Sequence, residues 1–481
     1  MSRTTEVAGV EVSVEHFIDG ERVASAESFE DRSPIDGSHL ADVCAGGPTE
    51  TDAAVEAARR AFPAWAALGP EGRAPILKKF AQNILDKAEQ LAAVETADNG
   101  SLLIGNKMRV MPRSALNIEF FADRALTMND EVIDSPEVVN HVRYDPAGVA
   151  ALIAPWNAPL MLTTWKVGPA LAAGNTVVVK PPEWAPLTSS LMADLAAEAG
   201  VPAGVLNVVQ GIGEVAGAAL VANEDLDRIS FTGSTDTARI IGRVAAGTLT
   251  PASMELGGKS PFLVFADSDL DSAAQTLAMQ YMNAGQVCLA GTRVLAEASI
   301  AEDLQARMRK AVAQLKVGDP RDIKTRVGPL ITQEHFDRVK GFVDRAIKDG
   351  AKPVWGGKPD AHGGLYFEPT LFENVEPDSE IAQSEVFGPV LTWQTFTSEE
   401  EAVSLANNTK YGLAAMLFTQ DADRISRLGR LLVAGTVWVN CFFVRELAAP
   451  FGGCRNSGSG REGGNWSFDF YADVKNVAIH K

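Results

Sequence analysis

Cysteine is scarce. Cys44, Cys288, Cys441 and Cys454 are scattered through 481 residues without CxxC spacing. That excludes a disulfide-built fold and suits a reducing, cytoplasmic setting. The six histidines show no ligand spacing and there is no HExxH, so no metal site is expected. Positive charge is in deficit. Lys plus Arg is 43 against 62 Asp plus Glu, a net charge of −19, which argues against a nucleic-acid binder and a polybasic membrane anchor. No stretch reads as a membrane span, and the long uncharged run 146–165 is broken by Pro146, Pro155 and Pro159. The opening residues carry acids early and no apolar core, which predicts no secretory signal. There is no GxSxG elbow and no GxxxxGK[ST] loop, so two common hydrolytic chemistries lose their usual footing.

What is present is the composition of a globular enzyme, 46% hydrophobic, long enough for two or three domains. Residues 53–95 and 109–125 carry apolar positions at helical spacing. From 149 to 267, short β-rich runs (VAALIA, TVVVK, LNVVQ, RISFTG, PFLVFA) alternate with helical stretches, a pattern that predicts a parallel sheet covered by helices. A second α/β block runs from 270 to about 440, with strands RVLAEA, AAMLFT and GTVWVN. The segment 131–149 alternates like an exposed strand, and the end of the chain, SFDFYADVKNVAIHK, reads as a strand that pairs with it.

Several motifs have the residue types that chemistry needs. Gly211-Ile-Gly213-Glu-Val-Ala216 follows a strand like a dinucleotide fingerprint, although a plain turn has the same look. Lys180-Pro-Pro-Glu183 ends a β-branched strand, where ligands of parallel sheets sit. The pair suits ribose hydroxyls, and its carboxylate would repel a 2′-phosphate and favour NAD over NADP. The same two residues would also suit a surface ion pair. Phe231-Thr-Gly233-Ser234-Thr starts a helix, where Ser234 is an N-cap and the free N–H groups an anion site. Glu255-Leu256-Gly-Gly-Lys259 precedes Gly285-Gln-Val-Cys288, in which a cysteine among small residues is either a nucleophile or a buried inert thiol.

Taken in order with Pro155-Trp156-Asn157, Glu385-Val-Phe387-Gly-Pro and Pro450-Phe-Gly-Gly453, these segments resemble the NAD(P)-dependent aldehyde dehydrogenase superfamily over nearly the whole chain. The resemblance implies an α/β fold of two parallel-sheet domains plus a small β oligomerisation ribbon. The NAD-binding domain would take 1–127 and 147–255, the catalytic domain 256–455, and the ribbon 128–146 and 466–481. It implies that Cys288 attacks the aldehyde, that Asn157 and the Cys288 N–H form the oxyanion hole, that Glu255 activates water, and that Lys166 stands near the active site. Members that pass the acyl group to coenzyme A generally lack that acid, so a free-acid product is expected. NAD would be held by Ile153, Ala154, Pro155, Trp156, Lys180, Glu183, Gly211, Phe231, Gly233, Ser234, Leu256, Glu385 and Phe387. Ala238, Cys454 and Arg455 depart from the family pattern.

Met111-Pro-Arg113-Ser and Val444-Arg445-Glu-Leu resemble the muconic-semialdehyde branch, in which two arginines bind the carboxylate of an aldehyde acid. A hydrophobic aromatic or aliphatic aldehyde is the alternative substrate. An inactive structural or binding protein on the same fold is the alternative class. The expected partners are a small-molecule aldehyde and further copies of the chain, as a homodimer or homotetramer, with no nucleic acid and no membrane.

Overall fold

The computed structural model describes residues 3–128 and 131–481. Residues 129 and 130, inside the expected ribbon, and residues 1 and 2 lie outside that range. An eight-stranded sheet is built around five parallel strands in the spatial order Ala252–Leu256, Arg228–Gly233, Val149–Ile153, Thr176–Lys180 and Leu206–Val208. The two central strands, VAALI and TVVVK, are buried at every position, as parallel strands covered on both faces must be. Alternate residues go to opposite cores. Ala150, Leu152, Val177 and Val179 pack toward helices Gly69–Asp86, Met111–Leu126, Pro159–Ala173 and Leu187–Ala199. Val149, Ala151, Ile153 and Val178 pack toward Pro48–Ala67 and Thr235–Thr248.

The chain crosses outward one way from Val149–Ile153 to the strands at 176 and 206, then returns to build the other side at 228 and 252. This reversal opens a crevice beyond the carboxyl ends of the strands. A second, seven-stranded sheet has the order Lys352–Trp355, Thr370–Glu373, Val390–Phe396, Arg293–Glu297, Pro261–Val264, Ala414–Phe418 and Thr436–Val439. It is parallel except at the Lys352–Trp355 edge. The hairpin of Glu131–Asp134 and Val138–Pro146 pairs with Ala472–His480, as the alternation predicts.

The end of the chain corrects one expectation. Residues 467–471 are not strand but belong to helix Gly464–Tyr471. Phe468 and Tyr471, three apart, are both buried with the first sheet's helices, and Phe468 meets Phe121 at 6.0 Å. Extended backbone would turn those two rings to opposite sides. Among the described residues, no helix is long and apolar enough to cross a membrane.

Candidate active site

The first sheet presents its carboxyl ends to loops that lead into the amino ends of the second. Asn157 lies four residues past strand Val149–Ile153 and Cys288 five before strand Arg293–Glu297. The two loops are tied directly: Asn157 Nδ2 donates to the Gln286 carbonyl at 3.0 Å, and Asn283 Nδ2 donates to the Asn157 carbonyl at 3.1 Å. The chain reaches the cysteine through Asn283 and Ala284, both left-handed, with φ of 50° and 54°. Two such residues in succession are costly unless the surroundings fix them. Gln286 does so: its side-chain oxygen accepts from Ile331 N at 3.0 Å and its amide donates to the Pro329 carbonyl.

Cys288 is half-buried and free. Burial, with the nearby Glu385 and Glu255, pushes its thiol up to about 12, against the opposing pull of Arg445. At rest the sulfur is therefore a thiol, and a base must take its proton for it to attack.

Glu255 stands inside strand Ala252–Leu256 and is 4% exposed. Neither carboxylate oxygen has a hydrogen-bond partner among the described residues. Gly452, at φ 149°, is the reason one oxygen fits: a Cβ there would lie 2.7 Å from Oε1. Burial and the neighbouring Glu462 hold the Glu255 carboxyl well above the usual range, against Lys166, Arg445 and Arg461. A carboxyl raised in this way binds a proton more readily than a free one, as suits a general base.

Lys166 is fully buried in helix Pro159–Ala173. Its ammonium bonds Glu462 at 3.0 Å and Ser230 Oγ at 2.9 Å. Trp165 Nε1 donates to the other Glu462 oxygen at 2.5 Å. The structure thus places Lys166 as the partner of a second acid rather than as a group open to the crevice. The sequence reading missed Glu462, whose signal is one acid among glycines in Gly460-Arg-Glu462-Gly-Gly.

The nucleotide motifs gather at the other carboxyl ends. Lys180 Nζ and Glu183 Oε2 are 2.7 Å apart. Burial alone would raise the Glu183 carboxyl, but Lys180 and the N–H groups of Glu183 and Gly213 hold it below the usual range. Ile153 and Ala154 end the central strand, with Ala154 N donating to the Lys180 carbonyl. Pro155 and Trp156 follow, and the Trp156 ring meets Phe387 edge-on at 5.3 Å. Gly211 takes φ 147° against Gly46 and Ala216. Phe231 is buried with its ring over Gly233, and Leu256 is buried at the end of its strand. Ser234 caps helix Thr235–Thr248 through Thr237 N at 3.1 Å, worth about 1 kcal/mol. Glu385 accepts from Gly258 N at 3.0 Å, and burial pushes it up to about 7. Lys259 is buried near it without a hydrogen-bond partner among the described residues, and burial brings its ammonium down to about 7.

Arg113 and Arg445 converge on one ring, with guanidinium carbons 5.8 and 4.9 Å from the Trp165 centroid. Arg445 also lies 3.7 Å over Phe451. Arg113 donates to Asn117 Oδ1 and to the Arg445 carbonyl. Burial lowers both guanidinium pKa values, that of Arg445 to about 10 with Arg113 adding to it. Among the described residues, neither arginine is ion-paired with a carboxylate.

The profile of the aldehyde dehydrogenase family matches residues 22–477. The chain is 40% identical to the 2-aminomuconic semialdehyde dehydrogenase of Danio rerio over 476 residues, 97% of this chain and 98% of that protein. It is also 40% identical to the 2-hydroxymuconic semialdehyde dehydrogenase of Pseudomonas sp. (strain CF600) over 481 residues, 97% and 99% of the two. Among solved structures, an indole-3-acetaldehyde dehydrogenase complexed with NAD+ superposes with a TM-score of 0.96 at 40% identity, covering 98% of this chain and 97% of that one. A crevice between two α/β sheets, holding a cysteine, an asparagine and a buried glutamate, agrees with these matches over nearly the full length: the chain belongs to the aldehyde dehydrogenase family and is an enzyme of that class.

Proposed function

We propose that the enzyme oxidises a carboxylate-bearing semialdehyde, of the muconic type, to the free acid with NAD. The observation that carries the substrate reading is the pair Arg113 and Arg445, two guanidinium groups brought to one tryptophan with no carboxylate ion-paired to either among the described residues. Two like charges held together in low dielectric are an unfavourable arrangement until an anion arrives. A planar carboxylate is the group that a guanidinium fork binds best. The relatives named for muconic semialdehydes support the same reading.

The residues present fit the cofactor. Glu183 beside Lys180 supplies acceptor and donor for the adjacent hydroxyls of one ribose, and its charge disfavours a 2′-phosphate. Glu385 supplies an acceptor for the second ribose. It approaches the backbone so closely that a Cβ on Gly257 would sit 1.9 Å from its oxygen, so the cradle exists only with glycine there. The first turn after Ser234 offers N–H groups to the pyrophosphate. When bound, NAD supplies the acceptor for two electrons and a hydrogen from the substrate carbon.

The protein's own groups do the rest. The Cys288 thiol gives its proton to Glu255, which passes it to solvent; the sulfur bonds to the carbonyl carbon, and the π pair moves to the oxygen. That oxygen is received by an Asn157 N–H and the Cys288 N–H, each donor worth about 3 kcal/mol. After oxidation the acyl group is a thioester on Cys288. Glu255 takes a proton from water, the hydroxide adds to the carbonyl, and the Cys288 sulfur leaves with the acid as product. Lys166 and Glu462 set the charge around Glu255 without touching substrate.

Steady-state kinetics with matched aldehydes test the substrate reading. Arg445→Ala is expected to raise KM for an aldehyde acid by about 30-fold or more, and that for a neutral aldehyde of similar length less than threefold. Equal effects on the two would overturn it. For the chemistry, Glu255→Gln is expected to accumulate an acyl adduct on Cys288, seen by intact-protein mass spectrometry, and Cys288→Ser to bind NAD without turnover.

A further inference from the structure

The helix Gln333–Lys348 carries no residue that the sequence motifs singled out, yet its inner face grips the segment on which Glu385 and Phe387 stand. His335 Nε2 lies 2.7 Å from the Phe387 carbonyl. Arg338 donates to the Val386 carbonyl at 2.5 Å through one Nη and to the Glu385 carbonyl at 2.7 Å through the other. Two side chains, three apart and so on one helix face, thereby take three successive carbonyls. Val339 completes the grip: a Cβ on Gly388 would come within 2.7 Å of its methyl group.

The segment needs such a grip. Phe387 has φ 57°, a left-handed backbone that is costly for a non-glycine residue. Irregular backbone also leaves carbonyls that sheet or helix would otherwise satisfy. Burial, with Arg338 adding to it, brings His335 down to about 4, so the ring is neutral. A neutral ring beside a carbonyl places its proton on the nitrogen facing that oxygen, and Nε2–H donates. The same ring packs 5.4 Å from Trp156 and 6.1 Å from Phe387. Arg338, which has no ion-pair partner among the described residues, favours the ionised form of Glu385.

We propose that His335 and Arg338 are positioning residues for the cofactor: they lock the 385–387 backbone so that the Glu385 carboxylate and the Phe387 ring are preset to receive the nicotinamide end of NAD. This rests on the cofactor roles proposed for Glu385 and Phe387.

The test measures NAD affinity by calorimetry, melting temperature without cofactor, and the KM and kcat of His335→Ala, His335→Gln, Arg338→Met and Glu385→Gln in the full chain. His335→Ala and Arg338→Met are expected to weaken NAD binding by about tenfold, with KM for the aldehyde unchanged. His335→Gln, whose amide N–H reaches the same carbonyl, is expected to recover most of that affinity at a melting temperature equal to that of His335→Ala. If His335→Ala and Arg338→Met bind NAD within twofold of wild type while Glu385→Gln is weakened, the positioning role is overturned. Equal losses in His335→Ala and His335→Gln overturn it too. Unchanged binding in Glu385→Gln as well would instead overturn the cofactor role of Glu385.

Discussion

Glu255 and Glu462 are buried neighbours, and Lys166 is ion-paired with the second of them. Replacing Glu462 by Gln removes the like charge and frees the Lys166 ammonium, and both changes favour ionised Glu255. The acid limb of the kcat profile is therefore expected to move down by about one pH unit, while the buried lysine left unpaired lowers the melting temperature. A profile that stays in place would contradict the Coulombic link. Glu255 and Cys288 stood out in the sequence as candidates because the order of motifs along the chain resembles a known family, not because either motif alone has one meaning. Glu462 did not, because its meaning comes from Lys166 and Trp165, which are distant in the chain. His335 escaped for a related reason: metal spacing and catalytic pairing are visible in a sequence, but a bond to a backbone carbonyl is not.

At the scale of elements, helix Ala88–Asn99 ties down the starts of two neighbours. Glu95 accepts from Leu160 N at 3.2 Å and from Thr188 Oγ1 at 3.1 Å, and Asp98 accepts from Leu187 N at 3.0 Å. Asp31, from strand Ser28–Arg32, joins them. Burial pushes Asp31 and Glu95 up to about 7, and burial together with Asp31 pushes Asp98 well above its usual value. A carboxyl raised in the folded state contributes stability at acid pH that is lost as pH rises through its folded value. The melting temperature is thus expected to fall between about pH 5 and pH 7, and to fall less in Asp31→Asn, by calorimetry across that window. Equal slopes would remove the buried acids as its cause. The central strands VAALI, TVVVK and RISFTG were legible because strands buried on both faces read as apolar runs. The N-terminal hairpins from Thr4–Val7 to His39–Cys44 were not. They are short and half-exposed, and their partners, not their composition, make them strands.

Across the whole molecule, the C-terminal strand does more than extend a hairpin. Arg228, at the start of a central strand, donates to the Phe470 and Ala472 carbonyls and pairs with Asp473 at 2.6 Å. Deleting residues 472–481 would cut the last two of these bonds and leave Val138–Pro146 as an open edge. The expected outcome is a melting temperature lower by several degrees and self-association in size-exclusion chromatography. Unchanged elution and melting would show that the strand is dispensable.

The strand Gly458–Ser459 closes the first sheet beside Glu255, and Glu462 follows it to reach Lys166. A nascent chain therefore exposes its thiol before these closing residues are made. Half-made copies carry the sulfur without the acid that tunes its neighbour.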